Sequence, residues 1–424
     1  MNAEDSPNVV VSTEVAAYIT DPFSAAVPAW KVEKAPADST PLEVEVVAPQ
    51  GVRAGDDLPV LVYIHGGRYE GGRHTERWTS GRDLVDEGRI VQVRISYRKR
   101  LEGFLPFGDE DAHHYRGVDD CQLGLEWVQR NIESFGGDPT NVTLSGQSAG
   151  GGIALWLARR DHYRGAFRRM IIISPGYPRE GIAKRSRGLR LCMGKALTRK
   201  HLRSLSPKQM RKGYQRFRTR FITDMAMGPY PFDGRELVDI PMLMTITTRE
   251  FHEHPSARWF DNRKPRKTGT PQVEVPQRPR LTRITAEKVL GVQPGMASLY
   301  ADDPTPAGAI LSDSLIRRWA AQALEEHHGP QWLIEYDDLE HCEDLPLIFG
   351  PIESSQVTSK EAQEKVRSIA LDFIRGDELS WPQYEVAQDA QKPRQALEIY
   401  LDGRSEVVTD PLRRTRLAFK SEAE

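Results

Sequence analysis

Asn141 to Ala158 reads NVTLSGQSAGGGIALWLA, and this stretch constrains the chain more than any other. Asn141 to Leu144 has the composition of a short buried strand, Ala149 to Ala158 that of a buried helix. Between them Gly146-Gln147-Ser148-Ala149-Gly150 forms a GxSxG pattern. In a strand-turn-helix setting such a turn lifts a serine hydroxyl out of the sheet edge, with small residues letting backbone approach backbone. Ser148 is therefore a nucleophile candidate. Outside that setting glycine and serine mark only an ordinary turn.

The rest of the chain supplies the setting. Leu58–Ile64 (LPVLVYI) is a nearly continuous apolar run of strand length, suited to a strand covered on both faces, and His65-Gly66-Gly67-Arg68-Tyr69 follows it. Thr40–Ala48, Val91–Tyr97, Met170–Ser174, Ile240–Thr247 and Trp332–Tyr336 also read as strands. Val118–Glu133, Ser312–His328 and Ser359–Arg375 read as helices. Strands alternating with helices predict a mostly parallel, doubly wound sheet flanked by helices.

Residues 1–40, rich in Pro and Ala with little periodicity, read as a loosely packed arm, leaving 41–424 as one α/β domain. Within it, Arg179 to Arg220 is dense in Arg and Lys with a helical pattern, a basic helical insertion over about 179–235 whose charge suits a solvated face. Residues 252–282, rich in Pro, Arg and Lys, read as a long loop.

Composition excludes several function classes. With 58 Lys and Arg against 60 Asp and Glu, the net charge is −2, which gives no global attraction to nucleic acid or membrane. No apolar run approaches membrane-spanning length, and the first residues lack a basic segment followed by an apolar one. The three cysteines, Cys121, Cys192 and Cys342, are widely spaced and odd in number, which predicts a reducing, cytoplasmic setting without a disulfide framework. No ligand-spaced cluster of His and Cys calls for a metal, and no cofactor motif is present.

Several separated segments together resemble the type-B carboxylesterase (cholinesterase-like) family of α/β-hydrolases. They are VYIHGGRYEGG at 62–72, ISYRKRLEGFL at 95–105, and the near-continuous GVDDCQLGLEWVQRNIESFGGDPTNVTLSGQSAGG at 117–151. Fainter ones lie at 202–207, 231–241, 341–350 and 380–384. The resemblance implies the α/β-hydrolase fold with helical cap insertions, and carboxylic-ester hydrolysis of a small-molecule substrate without a cofactor.

A serine hydroxyl needs a base and a group to orient that base. In this fold the chain order is serine, acid, histidine. His341, in LEHCEDL just after the last predicted strand, fits that order, and the resemblance puts the base there too. His65 precedes the serine, and His327 and His328 sit at a helix end. For the acid, the resemblance points to Glu250 in TTRE, while Asp337, Asp338 and Glu340 lie nearer His341 in sequence. It also implies that the amides of Gly67, Arg68 and Ala149 receive the oxyanion. Arg68 departs from the small residue usual there, so its side chain must point away or line the pocket. Gln147 departs from the usual Glu beside the serine, which removes a negative charge and weakens any preference for cationic esters. Trp78, Trp156, Trp259 and Tyr69 are candidates for pocket walls or for plain packing. The same groups would serve an acyltransferase, amidase or lactonase. A binding module that has lost catalysis is the reading of a different class.

Overall fold

The computed structural model describes residues 8–111, 113–194, 196–262, 279–350, 359–386 and 394–419. Its strands are β1 (Val9–Ile19), β2 (Val27–Pro28), β3 (Thr40–Pro49), β4 (Leu58–Ile64), β5 (Val91–Ile95), β6 (Gly137–Gln147), β7 (Arg169–Ile173), β8 (Met242–Thr247), β9 (Gln331–Tyr336), β10 (Gln395–Ile399) and β11 (Ser405–Thr409). They form one sheet in the order β11-β10-β9-β8-β7-β6-β4-β5-β3-β1-β2. From β5 through β10 every pairing is parallel, whereas β1, β2 and β3 at one edge and β11 at the other pair antiparallel. This is the mostly parallel sheet that the alternation of apolar runs and helical patterns predicts.

β4 and β7 are largely apolar because both of their faces are covered. Successive side chains leave β4 on opposite sides: Val60, Val62 and Ile64 join one core with Trp127, Ile153 and Trp156. Leu61 and Tyr63 join a second core with Ile334, Tyr336 and Phe373. β6 lies between β4 and β7 in the middle of the sheet, so the turn that follows it has neighbours on both sides.

Of the arm expected over residues 1–40, residues 1–7 lie outside the described residues, and Val9–Ile19 is not loosely packed but a strand of the sheet. β1 pairs with β3 along nearly its full length, with a register shift between Val15 and Ala17. Most of its residues are half-buried, and that shift breaks the period-2 pattern by which a strand is recognised. The strand expected over Ile240–Thr247 begins at Met242, after Pro241, which has no N–H to give the ladder. The helix expected over Ser312–His328 starts earlier, at Pro306, and holds a π-helical turn over Asp313–Arg317.

The basic insertion contains the helices Ile182–Met193, Arg199–Ser204 and Pro207–Arg218. The last starts at a reciprocal cap between Ser206 and Gln209, carries Pro207 in its first turn, and buries Gly213, Tyr214 and Phe217 on one face. Of the expected 252–282 loop, residues 263–278 lie outside the described residues. Its ends are helical, over Pro255–Phe260 and from Pro279. Among the described residues no helix is long and apolar enough to cross a membrane.

Candidate active site

β6 ends at Gln147, and Ser148 then turns the chain into the helix Ala149–Leu157 with φ 54° and ψ −120°. A residue with a β-carbon holds such angles only under restraint. Here the Ser148 N–H donates to the Ile173 carbonyl at 2.9 Å, and the Ser148 carbonyl accepts from the amides of Gly152 (3.0 Å) and Gly176 (3.1 Å). The glycines of the motif are required by closeness. A β-carbon at Gly146 would lie 2.2 Å from the Gly150 carbonyl oxygen, and one at Gly150 would lie 2.1 Å from that of Ile64.

Two chain-distant residues meet beside this turn. Glu250 follows β8 and His341 follows β9, so adjacent parallel strands deliver them to the same edge. The His341 Nδ1 lies 2.5 Å from Glu250 Oε2, and the His341 amide donates to the Glu250 carbonyl at 3.0 Å. Glu250 Oε1 accepts from Ser174 Oγ at 2.6 Å and from the Thr247 amide at 3.0 Å. Burial favours the neutral form of this carboxyl, but the imidazole, the hydroxyl and the amide outweigh it and hold Glu250 below the usual carboxylate range. Burial likewise works against a charged His341, and the neighbouring Cys342 and Glu250 prevail, raising it well above an ordinary imidazole.

Two of the other candidate acids, Asp338 and Glu340, are engaged elsewhere. Asp338 and Glu340 face Arg249 at 3.4 and 3.7 Å, and Glu340 accepts from the Glu253 amide. His327 pairs with Gln331 and the Val238 carbonyl, while His328 is exposed. His65 stacks on Tyr97 at 4.4 Å, and burial pushes it down to about 3, so it stays neutral.

The far nitrogen of His341 faces the turn at the side chain of Gln147. Its Nε2 lies 3.2 Å from Gln147 Nε2, and the same amide reaches Cys342 Sγ at 3.1 Å. Among the described residues the Ser148 hydroxyl makes no hydrogen bond to the imidazole. Glu250 and His341 are therefore joined, and Ser148 is one residue away from the group that occupies Nε2.

The turn after β4 lies against Ser148. A β-carbon at Gly66 would be 2.8 Å from the Gln147 carbonyl oxygen and 3.1 Å from Ser148 Cβ. Among the described residues the amides of Gly67, Arg68 and Ala149 have no acceptor, so three N–H groups at the turns flanking Ser148 are unspent. The Arg68 side chain points into the insertion, where its guanidinium donates to the carbonyls of Phe221 (2.9 Å), Ile222 (3.4 Å) and Asp224.

Sequence reasoning missed Ser174, Phe251 and Arg317. Phe251 stacks on His341 at 4.9 Å. Arg317, fully buried on the π-helical turn, donates to the Thr247 carbonyl at 2.9 Å, pairs with Glu335, and adds positive potential near Glu250. A serine ending the apolar run of β7, next to the nucleophile strand, was the one available signal. Of the aromatic candidates, Trp156 and Tyr69 are core residues, whereas Trp78 and Trp259 are exposed.

Residues 27–206 match the model of the Carboxylesterase family. Carboxylesterase 3B of Mus musculus is 39% identical over 141 residues, which are 33% of this chain and 24% of that protein. Bile salt-activated lipase of Homo sapiens is 34% identical over 141 residues (32% and 19%), and neuroligin-3 of Mus musculus 37% over 125 (30% and 15%). The chain thus spans a quarter or less of the length of these relatives. Likeness of fold reaches further. A Geobacillus stearothermophilus carboxylesterase crystallised at pH 6.2 superposes with a TM-score of 0.74 at 23% identity, covering 98% of this chain and 97% of that one. A PNB esterase gives 0.72 at 23%, with coverages of 97% and 96%. Residues 27–206 are thus similar to the carboxylesterase family, and the chain as a whole has the α/β-hydrolase fold.

Proposed function

We propose that the protein is a serine hydrolase of small or medium neutral carboxylic esters, working through an acyl-enzyme. The observation that carries the reading is the meeting of a strained Ser148, three unspent amides and the buried Glu250–His341 pair at one edge of the sheet.

In this reading Nδ1–H of His341 is given to Glu250, which fixes the tautomer with a lone pair at Nε2. As an ester enters, the Ser148 hydroxyl replaces the Gln147 amide at that lone pair, and its oxygen attacks the carbonyl carbon while the proton passes to Nε2. The carbonyl oxygen becomes an oxyanion held by the amides of Gly67, Arg68 and Ala149. Collapse breaks the ester bond, and the leaving alkoxide takes the proton from Nε2. Water then repeats the sequence on the acyl-serine, releasing the acid and restoring the hydroxyl. The neutral Gln147 supports a preference for uncharged esters. Three unpaired cysteines support a reducing, cytoplasmic location.

The test is covalent. A fluorophosphonate should add once, at Ser148, and Ser148→Ala should abolish both the adduct and turnover of a short activated ester. One observation favours a second reading, a binding module on a hydrolase fold: Nε2 lies against the Gln147 amide, and among the described residues the serine hydroxyl makes no hydrogen bond to it. Folded protein that shows neither adduct nor hydrolysis across esters of graded acyl length would establish that reading instead.

A further inference from the structure

The geometry points to the helical insertion as a working part of the oxyanion hole. Arg68 and Glu70 are positioning residues through which the docked insertion holds the turn that presents the Gly67 and Arg68 amides. This inference rests on the esterase reading above.

The turn cannot hold its shape unaided. After Gly67 at φ 112°, Arg68 and Tyr69 both stand at positive φ, 58° and 61°. Two consecutive side-chain-bearing residues in the left-handed region are each sterically disfavoured, so surrounding contacts must impose the conformation. From the core side Tyr69 OH donates to the Gly176 carbonyl at 2.7 Å, and Arg100 donates through N–H to the Tyr69 carbonyl (2.8 Å) and through Nε–H to the Glu70 carbonyl (2.9 Å).

From the other side the insertion grips the same residues. Arg68 donates to the carbonyls of Phe221, Ile222 and Asp224. Glu70 accepts from Tyr214 OH at 3.0 Å and pairs with Arg218 Nε at 2.5 Å, both on the helix Pro207–Arg218. That platform is itself fixed, because the Asp224 carboxylate accepts from the amides of Arg179 (3.1 Å) and Met225 (2.8 Å) and pairs with Arg185. Glu70, Asp224 and Arg185 are all buried, so losing a partner strands a charge away from water. Part of the insertion's positive charge is thus spent inside the fold, on either side of the turn.

Oxyanion donors act on the transition state far more than on the bound ester, and small displacements of catalytic groups are expensive in rate. In the full chain, Tyr214→Phe, Glu70→Gln and Arg218→Met should therefore each lower kcat, the charge-removing pair by about tenfold or more, with KM changed by less than about threefold. Affinity for a trifluoromethyl ketone should fall in proportion to kcat. The double variant Glu70→Gln/Arg218→Met should be no worse than the poorer single one, and Arg218→Lys should recover part of the loss. Tyr214→Phe removes one hydroxyl and keeps the fold, so it decides the matter should the charge variants fail to fold. Folded variants with kcat and inhibitor affinity within twofold of wild type overturn the inference. A wild type that neither turns over ester nor labels at Ser148 overturns the esterase reading beneath it.

Discussion

The Nε2 atom of His341 lies 3.2 Å from the side-chain nitrogen of Gln147, the residue immediately before Ser148. In the neutral imidazole, with Nδ1–H committed to Glu250, Nε2 offers a lone pair and the Gln147 amide fills it. Serine and glutamine therefore compete for one acceptor. A net hydrogen bond of this kind is worth roughly 0.5–1.5 kcal/mol, or about 2- to 10-fold in a rate that depends on displacing it. Gln147→Met keeps the length and removes the donor, and we expect fluorophosphonate labelling of Ser148 to accelerate by that factor. A slower rate would make the amide a support for the base, not a competitor. Gln147→Glu should instead hold the imidazole protonated, moving the acid limb of activity to higher pH and improving kcat/KM for a cationic ester relative to a neutral one.

Glu250 acts on His341 by charge and by orientation, and Glu250→Gln separates the two from the serine. Its anion helps raise the imidazole above its ordinary range, and a base must be neutral to accept a proton, so activity is lost as pH falls through the imidazole's value. Without the anion that value drops and the acid limb should move to lower pH. Turnover on the plateau should fall by about 10³- to 10⁴-fold, as when a triad acid becomes an amide. A variant of near wild-type turnover would show that another carboxylate supports the base.

What the sequence disclosed followed physical locality. The nucleophile turn was legible because strand, glycines and helix are contiguous, and the central strands because burial on both faces makes them apolar runs. Glu250 and His341 were reachable only through chain order and family likeness, since adjacent parallel strands bring them together across 91 positions. β10 escaped notice because Gln395-Ala396-Leu397-Glu398 is built of good helix formers, and it is a strand by virtue of pairing with β9. That the Arg68 side chain must point away or line the pocket was legible from its bulk, but nothing local could have announced the carbonyls 153 to 156 residues later that receive it. The competition at Nε2 was equally hidden, because it depends on the side-chain angles of Gln147.

The close approach at Gly150 should be measurable as stability. Its added methyl group in Gly150→Ala would sit 2.1 Å from the Ile64 carbonyl oxygen and 2.7 Å from that of His65. Both are backbone atoms that cannot rotate aside, so the helix Ala149–Leu157 must move off β4. Such overpacking is expected to destabilise by roughly 1–3 kcal/mol, read as a lower urea midpoint at unchanged slope. Since Ser148 immediately precedes the displaced helix, kcat should fall as well. Wild-type stability in this variant would mean the sheet edge yields far more easily than a packed core should.

Asp344 gives the protein a pH dependence separate from catalysis. It is fully buried three residues after His341, neither of its oxygens has a hydrogen-bond partner among the described residues, and burial with the nearby Glu250 charge pushes it up to about 7. The folded chain thus binds this proton more tightly than the unfolded chain, whose value is near 3.8. Stability from this group is full below about pH 4, declines as pH rises towards 7 and is flat beyond, a total of roughly 4 kcal/mol. Glu340, also raised to about 7, adds a decline in the same window, whereas the depressed Glu250 acts with opposite sign at lower pH. Asp344→Asn keeps the shape and cannot ionise. Urea midpoints should therefore converge with wild type near pH 4 and exceed it at pH 8, with Glu340→Gln removing a further part of the decline. Parallel curves for Asp344→Asn and wild type from pH 4 to 8 would mean that the carboxylate is charged and solvated inside the fold.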